Sequence, residues 1–63
     1  MKTDIKRLII LRDSLIAERE RKIFEYMEGE LSKEEKDAVT GIINSLTERI
    51  VRLDEKVRRE NEA

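Results

Sequence analysis

Four carboxylates, Glu18, Glu20, Glu25 and Glu28, have the residue type and helical spacing that acid–base chemistry would need. The same spacing is that of any solvated helix face, and no histidine or cysteine accompanies them. The commonest general base and the commonest metal ligand are therefore missing. Di-metal helical bundles take ligands from inward Glu-x-x-His pairs, a pattern this chain cannot form. A two-helix chain also offers no pocket of the usual ligand-binding size. The expectation is a non-enzyme without catalytic residues, metal or cofactor.

A second set of charges stands out by position. Arg12, Asp13, Arg19 and Glu20 fall within or beside an otherwise apolar arc. Two readings fit them. Long side chains can reach out to water from the edge of a helix seam. Alternatively, the four form ion pairs between chains, Arg12 with Glu20 and Asp13 with Arg19, that set the register of an assembly.

A third set is basic. Lys2, Lys6, Arg7, Arg52, Lys56 and Arg59 gather at the end of an antiparallel hairpin that holds both termini, and they are the candidate nucleic-acid contacts. That half, residues 1–16 and 46–63, has nine bases and seven acids, whereas residues 17–45 have five bases and eight acids. A surplus of two is small for a phosphate-binding surface, and no aromatics are interleaved for base stacking.

Two helices are expected to position these groups. From Ile5 to Met27, the residues Ile9, Ile16, Ile23 and Met27 share one column at ~100° per residue. Ile5, Leu8, Leu15 and Tyr26 flank it on one side, and Ile10, Ala17 and Phe24 on the other. The arc exceeds what one neighbouring helix can cover. A first helix is expected over about 4–28, with Thr3 or Asp4 as N-cap and Gly29 as the left-handed residue that closes it. Ser32-Lys33-Glu34-Glu35 reads as a capping box, Ser32 at the cap and Glu35 three residues on. A second helix follows over about 33–60, with Arg58 to Ala63 expected to fray for lack of an apolar anchor. Val39, Ile43, Leu46, Ile50, Leu53 and Val57 alternate spacings of four and three, which is a coiled-coil seam and the expected hairpin core. Gly41 falls on the outer side of that helix.

Length and composition bound the rest. Sixty-three residues make one domain, 1–63, too small to be more than marginally stable alone. With no cysteine to staple it, oligomerisation is the remedy left. The expected fold class is all-α, an antiparallel helical hairpin that dimerises into a four-helix bundle. Its interface is expected to use Ile5, Leu8, Ile9, Arg12, Asp13, Ile16, Arg19, Glu20, Ile23, Phe24 and Met27. Charged residues make up 46% of the chain, yet the net charge is −1 and the signs are mixed. No apolar run approaches the ~20 residues of a membrane span, and Leu8–Leu11 is too short for a signal-peptide core. A cytoplasmic protein without membrane contact is expected. Abundant Glu, Lys, Arg and Ile without Gln or Pro resembles the composition of thermophile proteins.

In length and inferred shape the chain resembles the Rop family of small dimeric four-helix-bundle RNA-binding regulators. The likeness is one of architecture, with no shared motif. Three functions are therefore expected in order: a homodimeric interaction or regulatory protein binding another macromolecule, most simply a protein, through its bundle surface; a Rop-like nucleic-acid binder; and a small phage or viral assembly factor.

Overall fold

The computed structural model describes residues 2–62, with side chains from Asp4 onward. Two helices, α1 (Lys2–Glu28) and α2 (Lys33–Glu62), lie antiparallel against each other. No strand occurs among the described residues, and the hairpin is a rod with extents of 46 × 14 × 11 Å. Glu and Arg, both good helix formers, are abundant in the helices, and there is no proline to break them. α2 continues through the weaker Thr40–Gly41 and Asn44–Thr47 positions because its apolar seam runs on without a phase change.

The turn between the helices is set by local chemistry. The Ser32 hydroxyl accepts from the Glu35 backbone N–H at 3.2 Å, and the Glu35 carboxylate accepts from the Ser32 N–H at 3.3 Å. This is the reciprocal cap expected from the sequence, and it satisfies two otherwise free donors. Glu34 and Glu35 in the first turn of α2 also face the positive end of the helix dipole.

Three details of the helix ends differ from expectation. α1 begins at Lys2, so Asp4 lies inside its first turn rather than at its cap; an acid there still suits the dipole. α2 stays helical to Glu62, two residues beyond its expected end. Gly29 is not left-handed, since no glycine among the described residues has a positive φ. Its N–H instead donates to the Glu25 carbonyl at 2.8 Å, carrying the helical ladder one residue past α1. A Cβ on Gly29 would sit 2.6 Å from that same carbonyl oxygen. Glycine is needed there for close approach of backbone to backbone, not for handedness.

The core is a single row along the hairpin. Leu15, Val39, Leu46, Ile50 and Val57 are buried, and Ile43 and Leu53 half-buried. Leu15, Leu46 and Ile50 form the central cluster, with Ile16 and Leu53 packed on it. Four of the five buried side chains belong to α2. That follows from its narrow stripe, which the groove of one neighbour covers. α1 gives Leu15 as its one fully buried side chain, with Ile16 packed beside it, and leaves much of its apolar arc exposed.

Candidate interaction surface

The apolar arc of α1 is divided into two faces. One face meets α2 along Leu8, Arg12, Leu15 and Arg19, alternating spacings of four and three to match the α2 seam. Two layers of that seam are thus arginines. Arg12 Nη1 donates to Asp54 Oδ1 at 2.7 Å, and its Nη2 lies 3.4 Å from Asp13 Oδ1. Arg19 Nη1 donates to the Thr47 hydroxyl at 3.4 Å, and that hydroxyl donates to the Ile43 carbonyl at 2.9 Å. Their aliphatic stems lie across the hairpin, leaving both Nε atoms buried without a hydrogen-bond partner. The Asp54 carboxylate, followed by Asp13, holds the Arg12 guanidinium even more firmly protonated than usual. Asp54 also lies 3.9 Å from Arg58, one turn along α2.

This arrangement separates the four charges singled out by the sequence. Arg12 and Arg19 turn toward α2, whereas Asp13 and Glu20 are exposed on the outer side. Arg12 takes its carboxylate from Asp54 of its own chain. The signal lay in the sequence: positions 8, 12, 15 and 19 carry the same heptad phase as the α2 seam. The unbroken isoleucine column 9–16–23 is the more hydrophobic row and competes with it.

The second face of α1 is open. Ile10, Phe24 and Met27 are 69%, 67% and 72% exposed. Ile23 is exposed beside them, while Ile5, Ile9 and Ile16 are half-covered. Among these residues Ser14, Ala17, Glu20, Arg21 and Phe24 line a shallow depression midway along the helix. Among the described residues nothing covers Ile10, Phe24 and Met27 further. On α2 the exposed apolar residues are Ile42 and Val51, at different heights and on different sides. At the loop end Lys36 Nζ stands 5.8 Å from the centre of the Tyr26 ring, an exposed cation–π contact between the helices.

The hairpin exposes more surface than its mass warrants. Its accessible area is 5276 Å², whereas a compact monomer of 7.5 kDa exposes ~4,200 Å². The excess of ~1,000 Å² is of the order that one partner buries in a stable interface.

The basic candidates with described side chains are at the surface. Lys6, Arg7, Arg52, Lys56 and Arg59 are exposed, and Lys2 has no described side chain. Arg49, Arg52, Lys56 and Arg59 follow one another at spacings of three, four and three on the side of α2 away from α1. Acids border this stripe, and Glu55 and Glu62 share a depression with Arg58 and Arg59. Among the described residues no group of three or more acids is placed to hold a metal ion. None of the helices there is long and apolar enough to cross a membrane. No family model, curated protein or solved structure matches the chain.

Proposed function

We propose that this chain is a non-catalytic, cytoplasmic regulatory protein that acts as a homodimer, two hairpins joining through the open face of α1 into a four-helix bundle. The bundle's outer surface then binds another macromolecule, most simply a protein. The observation that carries the reading is the row Ile10, Ile23, Phe24 and Met27, exposed along a helix whose other face is already packed. Several large apolar side chains left exposed on so small a chain mark an interaction site. Ordering two hairpins together also supplies the core that 63 residues lack. The test is thermal unfolding against protein concentration. A homodimer gains stability as concentration rises, by mass action. A melting temperature constant over a hundredfold range of concentration would defeat the proposal.

The outer stripe Arg49, Arg52, Lys56 and Arg59 favours a second reading, in which the macromolecule is a nucleic acid. Evenly spaced bases on one helix side can follow a phosphate backbone. Retention on RNA or DNA that falls steeply with salt would support it. Retention unaffected by salt, or none, would return the stripe to the role of a solvated face.

A further inference from the structure

We propose that the second copy lies antiparallel along α1, with the two-fold axis passing at Ala17. This rests on the reading of the chain as a homodimer and adds the orientation and register of its interface.

The open face has a size pattern centred on Ala17. This small, exposed residue lies in the depression between Ser14 and Phe24. Ile10 stands one heptad before it and Phe24 one heptad after, so all three share a column. In an isologous pair, residues equally far from the axis on the two chains meet. Ala17 then faces Ala17 of the second copy, and the two backbones can approach closely. Ile10 meets Phe24 of the second copy on each side, so the bulky residues fill the space as the helices diverge.

The charges on the same face obey the same symmetry. Asp13 and Arg21 lie four residues either side of Ala17, and Lys6 and Glu28 eleven either side. All four are exposed. The antiparallel arrangement brings Asp13 to Arg21 and Lys6 to Glu28 of the second copy. A parallel, in-register pair would set each of these charges against its own kind. The whole hairpin agrees, because the half with a surplus of bases then lies beside the acidic loop half of its neighbour. Arg12 is not required across this interface, which accords with its bond to Asp54.

Cysteine cross-linking tests the arrangement in a chain that has no cysteine of its own. Ala17→Cys is a small change at an exposed site, and under mild oxidation it should link most of the protein into dimers. Lys6→Cys should stay unlinked, because the two copies of that residue lie ~33 Å apart along the antiparallel helices. Asp13→Arg should weaken self-association about tenfold, since it replaces two attractions by two repulsions. Adding Arg21→Asp to it should restore the affinity. Dimers that link through Lys6→Cys, that fail to link through Ala17→Cys, or that are not restored by the charge exchange would overturn the arrangement and leave the homodimer standing. A chain monomeric at every concentration would overturn both.

Discussion

Arg12 and Asp54 are joined across the hairpin by a 2.7 Å bond from Nη1 to Oδ1, on the side of α1 that is turned toward α2. Replacing Asp54 by Ala leaves a guanidinium whose Nε is already without a partner with only the 3.4 Å contact to Asp13. The variant should melt at lower temperature. Arg12→Met should be tolerated better than Asp54→Ala, since it keeps the apolar stem and leaves no cation behind. A lower melting point for Arg12→Met than for Asp54→Ala would argue against this ordering.

The two glycines should respond in opposite directions to the same change. At Gly41 an added Cβ meets nothing within 4 Å. Gly41→Ala should therefore stabilise the helix by about 1 kcal/mol through propensity alone. At Gly29 the added Cβ would strike the Glu25 carbonyl at 2.6 Å, and Gly29→Ala should destabilise. Denaturant melts of the two variants check both signs.

The hairpin and its cap were legible in the residues because they depend on local rules. A strict four–three alternation from Val39 to Val57 and a Ser-x-x-Glu box each leave one structural answer. Which side of α1 meets α2 was harder, because the apolar arc of α1 is wider than one helix can cover. The isoleucine column has the greater hydrophobicity, but the hairpin takes the leucine row with its two arginines. The packing of Leu15 against Leu46 and Ile50 and the contacts of Arg12 with Asp54 and of Arg19 with Thr47 distinguish these choices, and they involve residues far apart in the chain. The conformation of Gly29 was likewise hidden, since left-handed closure and close approach both call for glycine.

The capping box gives a separate prediction for the loop. Ser32→Ala removes the acceptor of the Glu35 N–H and should cost ~1 kcal/mol. Glu35→Gln can still accept from the Ser32 N–H and should cost less. Equal losses would mean that the charge of Glu35 at the helix N-terminus, rather than the reciprocal bonding, carries the effect.

Core and open face should separate when truncated. Leu46, 4% exposed in the central cluster, should cost ~2–5 kcal/mol on change to Ala, at any protein concentration. Phe24→Ala should instead leave the hairpin contacts intact and weaken association, so that its penalty vanishes in dilute solution, where the chains are separate, and grows to a plateau as concentration rises. A Phe24→Ala penalty independent of concentration would assign that side chain to the single hairpin instead.

Sedimentation equilibrium of the unaltered chain is the most direct test of the α1 face as a self-association surface. Between about 1 and 100 µM the account predicts a mass of twice 7.5 kDa, shifting toward the single-chain mass on dilution as mass action requires. Phe24→Lys should move the whole distribution to the single-chain mass. A well-folded chain that sediments at 7.5 kDa throughout that range would contradict the account.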